Sequence, residues 1–409
     1  MPTASLQPQS ALRRVARDWL PPKLARGARR LRARRTAPAP AAPPRPAPPR
    51  PAPAAATTPA PTAPVPADPR WSALTGRVLA GIEACDPVYR PTNFWQPGVR
   101  RLLAEMDELG LHTFKSWPEA HSWFYPIYGR LLTRKTRRRM IEVASAEAGI
   151  GTETWLTPLL RGLPAARRDF DLARMAWDQE RWPFDFEQYG ESEVGRPSQT
   201  YKLADSEARF GKPYLNYLLC LAALSRHVSA PPKRFLELGG GYGVLGEIVM
   251  ARDPEADYVN LDIPPLLTVA SFYLTELFGH DRVLTYDDRV PDQGPVEVPG
   301  SACLPNWRIE DLVGEFDVFV NSFSFQEMEP AVVEHYVDTV AKLGVDYAVS
   351  LNSRAGKPVA TDDESVGVRE QVTSATVIRL FEERGYELCA TYNRPLISSA
   401  GELAVLRRR

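Results

Sequence analysis

Residues 235–248 read FLELGGGYGVLGEI, and this stretch has two frames. From Glu237 it is E-x-G-x-G-x-G; from Gly241 it is G-x-G-x-x-G, the dinucleotide fingerprint. Both frames put glycines between a strand and a helix, where backbone N–H groups approach a ligand closely and a helix N-terminus faces it. The dinucleotide frame needs its first glycine where the strand ends. Here the run RFLEL ends at Leu238 and Gly239 follows at once, so the frame that starts at Glu237 is favoured. An acid at the strand tip suits a ligand with a positive end, such as an amino group. It suits a pyrophosphate badly, because like charges would meet in a partly desolvated site.

Outward from this loop, short apolar runs alternate with helical patterns: RFLEL then GVLGEIVMAR, DYVNL then PPLLTVASFYLTELF, DVFVNSF then PAVVEHYVDTVAKLG, and DYAVSLN then SATVIRLFEERG. That alternation predicts βαβ units and an α/β fold with a mostly parallel sheet covered on both faces. The last two runs, YELCATYNR and ELAVLRR, have only PLISSAG between them and must form an antiparallel hairpin at one edge. Such a mixed edge argues against a symmetrical dinucleotide fold. The third strand is either RVLTYDD or SACLPNW. The second is preferred because it directly precedes the helix-like RIEDL, which leaves RVLTYDDRVPDQGPVEVPG as an excursion.

Asp262 stands at the end of the run DYVNL, directly after Leu261 and 19 residues past Gly243, and is placed to accept hydrogen bonds from two ribose hydroxyls. The combination resembles the class I S-adenosylmethionine-dependent methyltransferases. Within them, ELGGGYG, NLDIP, LPNW and VNSFSFQEM are similar to the bacterial sugar O-methyltransferase family, from about Tyr89 to the C-terminus. The resemblance implies a Rossmann-like methyltransferase sheet over residues 231–409. It assigns Glu237 and the loop of Gly239, Gly240, Gly241, Tyr242 and Gly243 to the methionine moiety of S-adenosylmethionine. Asp262 goes to the ribose, Ile263 to one face of the adenine, Asn306 or Trp307 to its border, and Asn321 and Ser322 to the neighbourhood of the methyl group. Structural alternatives stand beside these roles: a solvated strand end for Glu237, plain helix packing for Tyr242, and a cap on the next segment for Asn321.

The implied acceptor is a hydroxyl of a sugar or glycosylated metabolite, a poor nucleophile until its proton is removed, so a general base is expected. In NSFSFQEM only Glu327 can take a proton near neutral pH; its alternative is to cap the next helix or pair with a loop base. His335 is the reserve candidate. A divalent metal is left open, since Asp287-Asp288 and Asp362-Asp363-Glu364 read as solvated loop acids and no metal ligand is assigned. Two other functions compete: a partner-docking scaffold that has lost catalysis, and a nicotinamide-dependent oxidoreductase, which conflicts with the glycine phase.

The chain is neutral overall, with 50 basic and 50 acidic residues among 409, yet residues 1–70 hold 13 of the bases and only two of the acids. A tail of about +11 therefore precedes a body of about −11. No nucleic-acid partner is expected. The tail also holds 18 of the 40 prolines and almost nothing large and apolar, so residues 1–70 are expected to be disordered and outside the fold. Within it, SALRRVARDWL has the spacing of a basic amphipathic helix that could make weak contact with an anionic membrane surface. A tail without a fixed partner is preferred, because the helix is short and Pro21-Pro22 ends it.

Residues 71–230 read as mainly helical, in VRRLLAEMDELGLHTF and PYLNYLLCLAALSRHV, joined by aromatic-rich links such as YRPTNFWQPG. This region is expected to bind the acceptor, act as a lid or serve oligomerisation. RKTRRR at 134–139 reads as a solvated helix face in preference to an anion patch. Four dispersed cysteines and five histidines show no zinc or disulfide spacing. The longest apolar run, YLLCLAAL, is far too short to span a bilayer, so a reducing, cytoplasmic setting is expected. Deletion of residues 1–70 is expected to leave a folded body. On the membrane-surface reading, the full chain sediments with anionic vesicles and the truncated one does not; equal binding by both rejects it.

Overall fold

The computed structural model describes residues 68–129, 138–143, 162–287, 289–362, 365–394, 396–397 and 401–409. The tail up to residue 67, its amphipathic segment and most of RKTRRR lie outside these residues. RFLEL forms β1 (Arg234–Leu238), followed by β2 (Asp257–Asp262), β3 (Val283–Thr285), β4 (Ser301–Pro305), β5 (Val318–Ser322), β6 (Tyr347–Ser353), β7 (Tyr386–Tyr392) and β8 (Gly401–Arg408). Their order in one sheet is β7-β8-β6-β5-β1-β2-β4-β3. The central strands are parallel, with Leu236 opposite Val259 of β2 and Phe319 of β5. β8 runs antiparallel to β6 and β7. This is the expected Rossmann-like sheet with its C-terminal hairpin. The final strand inserts between β6 and β7, so the hairpin supplies two strands on that side.

The third-strand expectation holds in part. Ser301–Pro305 lies beside β2, as preferred, but RVLTYDD is more than an excursion, because Val283–Thr285 pairs in parallel with β4 as the outermost strand. Val283 and Thr285 are buried while Leu284 between them is half-buried, the alternation that a strand covered mainly on one face requires.

Helices α1 (Pro69–Ala84), α2 (Gln96–Leu109), α3 (Leu163–Ala176) and α4 (Lys212–Ser225) precede the sheet. Within it come α5 (Val244–Arg252), α6 (Leu266–Phe278), α7 (Pro330–Leu343) and α8 (Ser374–Glu383). α4 and α6 are apolar nearly all round, and they are accordingly buried nearly all round. The end of the tail belongs to the fold: Asp68 caps α1 by accepting from the Arg70 N–H at 2.9 Å, and Pro69 sits at the first helical position. The described residues, from Asp68 to Arg409, form one compact unit. Inside it the helical region and the sheet share a single hydrophobic core, joined by contacts such as Trp71 on Phe272 and Phe114 on Tyr273. The links are less helical than the pattern suggests; Tyr201–Lys202 and Arg209–Phe210 form a small antiparallel pair.

From β1 the chain steps through β2 to β4 in one direction, and from β5 through β6 in the other. Crossovers that run in opposite directions from the centre of the sheet leave a crevice beyond the carboxyl ends of β1 and β5. The glycine loop and the segment that begins at Ser322 both open into it.

Candidate functional site

β1 ends at Leu238 and α5 begins at Val244, so all of residues 239–243 form the turn. Gly239, Gly241 and Gly243 have φ of 72°, 61° and 88°, a region that side chains with a Cβ rarely adopt. The left-handed positions thus fall in the frame that starts at Glu237. Gly240 is required for a different reason: a Cβ there would lie 2.6 Å from Glu237 Oε2, Asn260 Oδ1 and the Tyr258 hydroxyl. Gly246, the third glycine of the rejected frame, lets α5 approach the Tyr258 ring of β2.

Asp262, at the tip of β2, is buried and faces this loop. Its two oxygens accept from the backbone N–H groups of Gly241 and Ile263, each at 2.7 Å. Burial pushes its carboxyl up to about 8, against the pull of those two hydrogen bonds, which favour the charged form. Gly239, Gly240, Gly241, Tyr242, Asp262, Ile263, Asn306 and Ser322 all border one cavity of about 510 Å³ beyond the strand ends. Asn306 donates to the Tyr89 carbonyl at 2.7 Å and the Tyr336 hydroxyl at 2.8 Å, which leaves its buried Oδ1 without a partner.

Five expected residues sit elsewhere, the first being Gly243, which completes the turn outside the cavity lining and lies against Leu274. Glu237 is fully buried beneath the loop and outside the cavity lining, its oxygens accepting from Tyr217 and Tyr258 at 2.6 and 2.5 Å. Burial pushes it up to about 7 despite both bonds, so it braces the turn and is no solvated strand end. Asn321 is also beneath the cavity: it donates to the Leu238 carbonyl and accepts from the Phe325 N–H, each at 3.0 Å, and so ties β1 to the turn after β5. Trp307 turns away from the cavity, packing edge-on to Tyr286 and against Gly81 of α1. His335 is outside the lining too, its Nε2 being 2.7 Å from the Tyr89 hydroxyl and 3.3 Å from Glu310. Tyr242 borders the cavity, and its ring packs with Phe114, Tyr125 and Tyr273.

Glu327 lines the cavity on the wall built from the turn after β5. Its Oε1 is 2.8 Å from Lys357 Nζ, and its Oε2 accepts from the Trp95 indole N–H at 2.9 Å. Burial raises its carboxyl above the usual range, and Lys357 pulls in the opposite direction. Trp95, Trp123, Phe124, Tyr128 and Phe323 line the same cavity. No group of three or more His, Cys, Asp or Glu among the described residues could hold a metal ion, and none of their helices is long and apolar enough to cross a membrane.

Behind the glycine loop lies a buried polar cluster that sequence reasoning missed. Lys115, fully buried, spends its three protons on Glu191 Oε1 at 3.0 Å, the Tyr273 hydroxyl at 2.9 Å and the Ser192 carbonyl at 3.1 Å. Glu191 also accepts from Tyr125 and Tyr242. Glu247 of α5 accepts from the Ser192 N–H at 2.6 Å, and burial pushes it up to about 7 against the pull of Lys115. The cluster fixes Tyr242, and with it the loop, to the helical region. No periodicity marks Lys115, in a short 3-10 turn, or Glu191, in a link 76 residues further on.

No protein-family model matches the sequence, and no curated protein matches it. Solved structures similar to the chain include the mitomycin 7-O-methyltransferase MmcR, with a TM-score of 0.33 at 15% identity over 48% of this chain and 58% of that one. The pyocyanin biosynthetic protein PhzM gives a TM-score of 0.36 at 16% identity over 76% and 93%. The magnesium protoporphyrin IX methyltransferase from Synechocystis PCC 6803, solved with bound S-adenosylmethionine, gives 0.33 at 11% over 47% and 77%. At such identities and TM-scores these likenesses carry no argument about the site, which stands on its own residues.

Removing the Lys115 ammonium leaves a carboxylate buried without its cation. Lys115→Met is therefore expected to cost about 3–5 kcal/mol of stability in urea unfolding, and Lys115→Met with Glu191→Leu appreciably less. A single variant as stable as the parent contradicts this account of the cluster.

Proposed function

We propose that the chain is an S-adenosylmethionine-dependent O-methyltransferase acting on a hydroxyl of a sugar or glycosylated metabolite. The observation that carries this reading is one cavity lined by both the Asp262–glycine cradle and the Glu327 carboxylate. The residues fit the cofactor. The bare backbone of Gly239 to Gly241 leaves room for the methionine end. Asp262 retains acceptor capacity beyond its two backbone bonds for ribose hydroxyls, and the unpaired Asn306 Oδ1 suits the exocyclic amine of an adenine. Ile263 and Ser322, also on the lining, keep the roles the resemblance gave them. Glu237 passes from direct ligand to support of the loop.

When bound, the cofactor supplies an electrophilic methyl group on a positively charged sulfur. The chain's own contribution is alignment, exclusion of water and removal of a proton. Each Glu327 oxygen has a lone pair beyond its bond to Trp95 or Lys357, and can receive the proton of an acceptor hydroxyl. The rings of Trp95, Trp123 and Phe323 offer flat apolar faces to a sugar or aglycone ring. His335, outside the lining, is set aside as base. The positions of the left-handed glycines speak against the nicotinamide reading, and a docking scaffold has no need of a carboxylate held in the cavity.

Glu327→Gln keeps the shape and removes the basicity. It is expected to lower turnover about 100-fold or more, measured as S-adenosylhomocysteine released with sugar, nucleotide-sugar and glycoside acceptors, with cofactor affinity unchanged. Asp262→Ala should do the opposite, weakening cofactor binding by about 1–3 kcal/mol in calorimetry. Near-normal turnover of Glu327→Gln removes Glu327 as base; unchanged affinity of Asp262→Ala removes the cradle assignment.

A further inference from the structure

Lys357 belongs to the loop between β6 and α8 and has no place in any pattern the sequence offers, yet it reaches the cavity wall beside Glu327. We infer that Lys357 is a positioning residue for Glu327: it anchors one carboxylate oxygen and supplies the positive charge against which the carboxylate stays charged and aimed into the cavity. The inference rests on reading Glu327 as the base.

Two separate segments of the chain converge on this one residue. Lys357 Nζ lies 2.8 Å from Oε1, the Trp95 indole N–H donates to Oε2 at 2.9 Å, and the Thr92 hydroxyl donates to the Glu327 carbonyl at 2.7 Å. One donor on each oxygen fixes the plane of the carboxylate. The ammonium is itself held, 4.5 Å over the Phe94 ring. The pair is largely withdrawn from water, with side-chain exposures of 27% for Lys357 and 11% for Glu327.

In such surroundings a lone carboxylate takes up a proton, and a protonated Glu327 cannot serve as a base. The groups facing it divide clearly. Asp262, on the same cavity, is itself raised by the Glu327 charge, and when ionised it opposes ionisation of Glu327 in return; the Gln326 amide and the Trp95 indole are neutral donors that favour the charged form of Glu327. Lys357 contributes both an opposite charge and a hydrogen bond, and it stands first among the influences that offset burial. A neutral residue at 357 would leave the carboxyl with the indole and amide donors alone.

The test needs no acceptor. Full-length protein labelled with 13C at the glutamate side-chain carboxyl is titrated by NMR, and the Glu327 signal is identified by its loss in Glu327→Gln. In the parent, Glu327 is expected to be charged at pH 7. In Lys357→Met and Lys357→Gln its midpoint should rise by about one unit or more, and Lys357→Arg should restore it to within a few tenths of a unit. A merely structural lysine would not produce that rescue. An unmoved midpoint in both neutral variants, or an equal rise in Lys357→Arg, overturns the inference. Calorimetry with S-adenosylmethionine on the same samples keeps the two readings apart. A parent chain that binds none contradicts the methyltransferase reading, whereas an unmoved midpoint in a chain that binds it contradicts only the role of Lys357.

Discussion

Two backbone N–H groups, those of Gly241 and Ile263, meet on the carboxylate of Asp262, and the geometry of the site depends on that junction. It can form only because β1 and β2 are parallel neighbours whose tips end level, and because the turn after β1 is made of residues that accept left-handed backbone. The carboxylate is buried, so the two hydrogen bonds and any ligand hydroxyl are what it has in place of water. A side chain at Gly240 would strike Glu237, Asn260 and Tyr258 beneath the loop, which makes the turn a shaped support in place of a pliable link.

The helical region completes the site. Residues 88–92 and Trp95 line the cavity, and Thr92 and Trp95 both bind Glu327, so one stretch of chain borders the cradle side and also grips the proposed base. Lys115 and Glu191 hold Tyr242 from behind. The loop is therefore clamped from both ends: by Asp262 at Gly241 and by the buried cluster at Tyr242. Buried charge is costly unless every proton and lone pair is used, and the three bonds of Lys115 meet that condition.

The sheet was legible because its signals are local. Each apolar run fell within a residue or two of a strand, and Gly110 and Gly344 end α2 and α7 as glycines past a helix should. The outermost strand was missed because three residues of one-sided burial in a polar stretch carry almost no pattern. In the site, backbone positions were legible: Gly239 and Gly241 take the left-handed turn that the spacing called for, and Asp262 ends β2 beside them. Side chains were read less well, since strand position does not say which way a residue points. Glu237 and Asn321 alternate onto the buried side of their strand tips, and Trp307 turns toward α1. Trp95, Lys115 and Lys357 were invisible for a further reason: their partners lie from 30 to 232 residues away, beyond any periodicity.

The central claim is that the E-x-G-x-G-x-G turn with Asp262 is a seat for S-adenosylmethionine and not for a dinucleotide. Isothermal titration of the unmodified protein with S-adenosylmethionine, S-adenosylhomocysteine and NAD measures this directly. The account predicts saturable binding of the first two and none of NAD. Binding of NAD with no response to either sulfur-containing ligand would contradict it.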